Sequence, residues 1–209
     1  MRKISMTLGV ALFLGCAQAA FAADTVTTSS VNSLQVQSGN VTASLNAKVN
    51  KVTDEVSLTA AAIGNTATIE GGSLSTLNNT QRYNGVVSSS LNGQLGNVIG
   101  DVNVTSAAIA NTATLKLDKA TTINNTQYVN YDPAATLNLT AGPIDGAVTA
   151  TSAAINNSAT ITADAATFNS TQIAYAPSSS AASAVIGDVT GAVALTSAAI
   201  GNTLTLKGF

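Results

Sequence analysis

The sequence predicts an all-β chain wound as a β-solenoid (β-helix), and three observations carry that reading. The same 46-residue phrase is written four times: Ile63, Ile109 and Ile155 lie 46 residues apart and Ile200 follows after 45, each within Ala-Ala-Ile-x-Asn-Thr/Ser at residues 61–66, 107–112, 153–158 and 198–203. Gln35, Gln81, Gln127 and Gln172 keep those intervals, each three residues after Asn32, Asn78, Asn124 or Asn169. Between the markers the local period is two, as in Val102-Asn103-Val104-Thr105-Ser106 and Ala113-Thr114-Leu115-Lys116-Leu117. Self-similarity at a fixed period of this length signals stacked units, each too small to bury its apolar face alone. Alternation in a chain rich in Thr, Val and Ile signals half-buried strands, with Asn and Gly marking turns. The Ala-rich pieces are too short for persistent helix.

The chain opens with Arg2 and Lys3, an apolar run over residues 4–15, and Ala20-Phe21-Ala22. A basic start, an apolar run and a small-x-small site describe an export signal, so residues 1–22 are expected to be removed. The alternative is lipoprotein-type cleavage, leaving Cys16 as a lipid-modified first residue. Residues 23–209 form the solenoid domain, with repeats at approximately 25–70, 71–116, 117–162 and 163–209.

Beyond the signal there is no cysteine, and the whole chain lacks histidine and tryptophan. Packing and hydrogen bonds must therefore hold an exported fold without disulfides. Six basic residues then face ten acidic ones, a balance that argues against nucleic acid or an anionic membrane surface as partner. No further apolar run approaches the length of a membrane helix, so no membrane insertion of the mature chain is expected.

Each repeat holds the branched-x-Asn-Thr pattern twice, at residues 63–66 and 77–80 and again at 109–112 and 123–126. Two coils of about 23 residues per repeat are expected, one broad coil being the alternative. Eight coils spaced about 4.8 Å apart would make a rod about 40 Å long. In such a stack Asn65, Asn111, Asn157 and Asn202 form one amide ladder, Gln35, Gln81, Gln127 and Gln172 another, and Asn32, Asn78, Asn124 and Asn169 recur beside them. Stacked amides donate and accept once per layer, which satisfies them when buried. The plainer alternative is that these asparagines suit turns. Ile63, Ile109, Ile155 and Ile200 are expected in the core. Leu45-Asn46, Leu91-Asn92 and Leu137-Asn138 give a third marker. No charge is carried through every layer: Glu70 aligns with Lys116, Thr162 and Lys207, and Glu55 with Asp101 and then with Ala147 and Ala192.

No catalytic, cofactor-binding or metal site is expected. His- and Cys-based catalysis lacks its residues, zinc lacks its usual ligands, and Gly71-Gly72 is a lone pair where a calcium-binding repeat needs many. The carboxylates Asp54, Glu55, Asp101, Asp118, Asp145, Asp164 and Asp188 are spread along the chain. A Thr-x-Thr motif recurs at residues 66–68, 112–114, 158–160 (as Ser-x-Thr) and 203–205, on every second coil if each repeat holds two.

The Ala-Ala-Ile-Gly-Asn-Thr and Asn-x-x-Gln phrases resemble, in repeat style, those of bacterial extracellular β-solenoid fibre proteins, similar in kind to curlin-type functional amyloids and to surface proteins that anchor adhesive holdfasts. The resemblance implies secretion, fibre assembly and use in biofilm matrix or attachment. No polar cap is visible, and the repeats run to Phe209; an uncapped end templates another chain, giving a head-to-tail homopolymer. Secretion or nucleator proteins are the other partners expected. The alternative function is a monomeric binding module whose Thr-rich face meets ice or a glycan; a polysaccharide-active enzyme is more remote.

Overall fold

The computed structural model describes residues 6–13, 17–22 and 30–208. The signal-like segment is described at 6–13 and 17–22; Cys16, the junction after Ala22 and Phe209 lie outside the described residues. The strands are β1 (Met6–Phe13), β2 (Ala17–Ala22), β3 (Ser30–Gln37), β4 (Val41–Val52), β5 (Val56–Tyr83), β6 (Val87–Ile99), β7 (Val102–Val129), β8 (Pro133–Ala141), β9 (Ile144–Asp145), β10 (Val148–Ala174), β11 (Ser179–Ile186) and β12 (Val193–Lys207). In one sheet β5, β7, β10 and β12 lie side by side, with β1, β2 and β3 all along the far edge of β5; in the other, β4, β6, β8 and β11 lie side by side, with β9 beside β6. All of these pairings are parallel, as successive turns of a solenoid require.

The register corrects the expected coil length. Val56 pairs with Val102 and Val102 with Val148, Ile63 with Ile109, and Gln81 with Gln127, so each residue stacks on its copy 46 positions away. One repeat is therefore one coil, not two of about 23 residues. The second branched-x-Asn-Thr element does not stack on the first; it lies across the interior from it, within the same turn, and the Asn65 amide reaches the Arg82 carbonyl at 3.0 Å. A straight 28-residue strand would run about 90 Å. Here β5, β7 and β10 bend instead, and each supplies two facing walls. Four such coils rise only about 20 Å. The shorter interval before Ile200 is absorbed between Thr162 and Asp164, where the ladder slips by one residue.

Alternation builds the interior. Along β7, Val102, Val104, Ser106, Ala108 and Ala110 are buried, then the phase changes and Asn111, Ala113, Leu115 and Leu117 are buried. The adjacent buried pair at Ala110 and Asn111 marks a corner, and Gly64–Asn65 and Asn156–Asn157 repeat it. That corner displaces the marker isoleucines from the core, where they were expected. Ile63, Ile109, Ile155 and Ile200 precede the phase change, take the outward parity and are half-buried, while Ala62, Ala108 and Ala154 point in. The interior is narrow at this corner, and small side chains fill it. Elsewhere Leu58, Leu91, Leu137, Val102 and Ile144 form one aliphatic column, and Ile69, Leu77, Leu115 and Ile123 form another.

Size is traded across the corner from coil to coil. Gly64 faces Tyr83, where a Cβ would run into the ring and the Ala110 carbonyl. In the next coils Ala110 accompanies Val129, and Asn156 accompanies Ala174. Tyr83 is 1% exposed and its hydroxyl donates to the Gly39 carbonyl at 2.8 Å. Gly100 turns the chain with φ of +132°, and a side chain there would meet the Asp54 carbonyl of the coil below.

Two outcomes test this packing. Leu137→Ala should lower unfolding stability by about 2–5 kcal/mol, whereas Ile109→Thr should change it by less than about 1 kcal/mol, as read by urea denaturation. Burial pushes the Tyr83 hydroxyl up to about 12, the Val41 amide opposing in part. Its folded-state pKa is raised, so its contribution is complete below about pH 10, the unfolded value, and is lost as pH rises through about 12. Tyr83→Phe should flatten that alkaline limb of the melting temperature.

Candidate assembly interface

Three amide columns run up the solenoid. On the inside, the side-chain N–H groups of Asn65, Asn111 and Asn157 donate to the Oδ1 atoms of Asn111, Asn157 and Asn202 at 2.8, 2.8 and 2.7 Å. Their second N–H bonds go to the carbonyls of Arg82, Tyr128 and Ile173 on the facing wall. Gln172, Gln127 and Gln81 each donate to the glutamine one coil earlier, ending at Gln35, with 2.7 Å at every step. Gln35, Gln81, Gln127 and Gln172 also donate to the carbonyls of Thr66, Thr112, Ser158 and Thr203. Those carbonyls fix the direction of each column, because a carbonyl oxygen only accepts. On the outside, Asn169, Asn124 and Asn78 donate in turn to Asn124, Asn78 and Asn32 at 2.6–2.8 Å. The structure thus brings all twelve of these amides into columns, and leaves the four isoleucines on the outer face.

Other columns were not singled out from the sequence. Asn79 donates to Asn125 at 2.8 Å, both buried, and Asn125 to the half-buried Ser170 at 3.2 Å. The doublets Asn78-Asn79 and Asn124-Asn125 carry the signal: in a strand, one member of a doublet must point inward. Ser89 shares a hydrogen bond with Ser106 at 2.8 Å and donates to the Ala60 carbonyl, crossing the interior between the two sheets. The third marker of the sequence stacks as well: Asn46, Asn92 and Asn138 form an exposed column.

The acidic residues do other work. Glu55 accepts from Asn103 at 2.8 Å, Asp101 from the Ala147 amide at 2.9 Å and Asp145 from Thr190 at 2.8 Å, each tying a turn to the coil above. Among the described residues no cluster of acidic side chains is placed to hold a metal ion. No helix among the described residues is long and apolar enough to cross a membrane. A groove of about 500 Å³ lies along one corner, lined by Arg82, Tyr83, Asn84, Tyr128, Asn130 and Tyr175, with the Arg82 guanidinium 5.4 Å from the centre of the Tyr128 ring. Because a coil is a whole repeat, the Thr-x-Thr motif falls on every coil rather than every second one: Thr66, Thr112, Ser158 and Thr203 stack, as do Thr68, Thr114, Thr160 and Thr205.

The two ends differ in how they are finished. On β12, Val193, Leu195, Leu204 and Leu206 stand in register with buried Val148, Ala150, Ala159 and Ile161, yet are 43–54% exposed. They are core positions on the last layer: β11 faces the start of the strand, where Ser197 donates to Ser180, but among the described strands no later half-coil covers β12 and none pairs with its outer edge. At the other end Asn65 Oδ1 is buried and has no hydrogen-bond partner. The amide column therefore stops on an unmatched acceptor.

Breaking the inner column at its middle tests its weight. Asn111→Ala strands the Tyr128 carbonyl, Asn157 Oδ1 and the Asn65 N–H that donated to it, and should cost at least about 3 kcal/mol, at roughly 1–3 kcal/mol for each buried group left unpaired. Asn111→Asp buries an acid whose folded-state pKa is raised by desolvation. The variant should be most stable when the acid is protonated, still below wild type because one O–H replaces two N–H donors, and lose stability as pH rises toward neutrality, the order expected for a raised pKa; urea titrations at about pH 4 and about pH 7 read the difference.

A family model described as HfaD, holdfast attachment protein D, matches residues 14–208. No curated protein and no solved structure matches the chain.

Proposed function

The chain belongs to the holdfast attachment protein D family, and from that premise we propose that it is a secreted structural subunit that polymerises end to end into an extracellular fibre. The family's description, holdfast attachment, supports a role in surface attachment and a place at or outside the surface of a bacterial cell. The finer reading is that attachment is made through a homopolymer, solenoid or amyloid-like in its stacking, and that the work is mechanical rather than enzymatic.

One observation carries this. The bare core positions and open edge of β12 ask for the same kind of neighbour that β10 already has in β7. An exposed parallel edge with apolar residues beneath it is a template for another strand, and a contact between unlike ends does not close, so it propagates. Few aromatic and few charged side chains, 4% and 9% of the chain, leave stacking and amide pairing as the cohesive forces available.

A second reading has its own observation. With the Thr-x-Thr motif on every coil, the outer face carries two unbroken columns of hydroxyls, a regular surface on which a monomeric solenoid could order water or meet a glycan. Residues 23–209, purified and concentrated, should give unbranched filaments in cryo-electron micrographs with an axial spacing of about 4.8 Å. A monomer that persists in sedimentation at high concentration would overturn the fibre and send the search to the threonine face.

A further inference from the structure

The far edge of β5 is not bare. Met6–Phe13 pairs with it from Val56 to Ile63, and Ala17–Ala22 from Thr66 to Gly71. Both strands come from the segment whose composition marks it for removal on export. Together they are the first half of a coil, and β3 and β4 are its second half, pairing with Thr76–Tyr83 and with β6. At the other end β12 is again the first half of a coil, without a second half among the described strands. Taking residues 1–22 away leaves a gap at one end that matches the surplus at the other.

We infer that the edge of β5 held by Met6–Ala22 is the docking site for Val193–Lys207 of a second copy, and that the N-terminal segment is a placeholder which keeps the precursor from assembling. The inference rests on the end-to-end reading above and names its joint. Carried through the existing register, Val193 comes opposite Val56, Ile200 opposite Ile63, Asn202 opposite Asn65 and Lys207 opposite Glu70. Residues 14–16, between the two N-terminal strands, include no asparagine or glutamine. The incoming strand brings Asn202, whose amide donates to the Gln172 carbonyl at 3.1 Å and, unlike those of Asn65, Asn111 and Asn157, makes no bond to a further asparagine. Column polarity matches: a donor on β12 meets the buried, unpartnered Asn65 Oδ1. Opposite charges meet as well, Lys207 replacing Phe21 beside Glu70. In the same step β3 and β4 of the second copy supply the second half of the coil that β12 begins, beyond the wall that β11 already gives it, so one composite coil is completed from two chains.

Disulfide trapping of the exported form, residues 23–209, tests the joint. Thr66 and Thr203 are three coils apart in one chain, about 14 Å, too far for a disulfide, but neighbours across the joint. The double variant Thr66→Cys/Thr203→Cys should give a ladder of covalent multimers under mild oxidation. Thr66→Cys/Thr196→Cys, seven residues out of register, should not. Lys207→Glu should slow elongation roughly tenfold or more at low salt, and the chain retaining residues 1–22 should stay monomeric under the same conditions. Filaments that form without the in-register cross-link would overturn this joint and leave the polymer reading standing. A monomer with neither filaments nor cross-links would overturn both. Assembly of the uncleaved chain at the rate of the exported form would overturn the placeholder.

Discussion

Each residue of this molecule rests on its own copy one coil away, and almost every other property follows from that in-register stacking. A polar group at an inward position is repeated as a column, so it must be able to pair with itself. Amides can, since each donates and accepts along the column and has a second N–H left for the facing wall, as Asn111 does toward Tyr128. Carboxylates and ammonium groups cannot, and the Glu70 column accordingly runs through Lys116, Thr162 and Lys207. Beyond residue 22 the chain has no cysteine, and buried Asn and Gln columns tie its layers together.

Stacking also explains the modest side chains. With alanine at 62, 108 and 154 the walls approach closely at the corner, and the one large intruder, Tyr83, is admitted only opposite Gly64. The interior is thin, so cohesion comes from the number of aligned contacts rather than from a bulky core. The surface inherits the same periodicity. Asparagine, threonine and isoleucine columns repeat at the coil spacing. A solenoid held this way has no internal reason to stop, and what finishes its ends decides whether it is a molecule or a fibre. The orphaned Asn65 oxygen and the uncovered leucines of β12 are the two faces of that question.

The sequence by itself determined the architecture and the identity of the stacked positions. Period two within period 46 requires strands in layers, and the glutamines and asparagines three residues apart are legible as columns because only stacking holds amides in phase across four copies. It did not determine how far the chain travels before it stacks. Residues 63–66 and 77–80 look alike, and only the fold shows that they face each other across one coil, because the Asn65 amide reaches the Arg82 carbonyl within a single turn, while Gln81 crosses to Thr112 one layer on. Nor did it determine which side Ile109 takes. Alternation fixes parity only up to a corner, and the phase change at Ala110 and Asn111 is a property of how the walls close, set by the space left beside Tyr83 and Val129. The site at the ends was likewise a matter of tertiary structure: that the N-terminal segment and Val193–Lys207 are equivalent half-coils appears only when both are placed in register with β5 and β10, since the two segments share no sequence pattern.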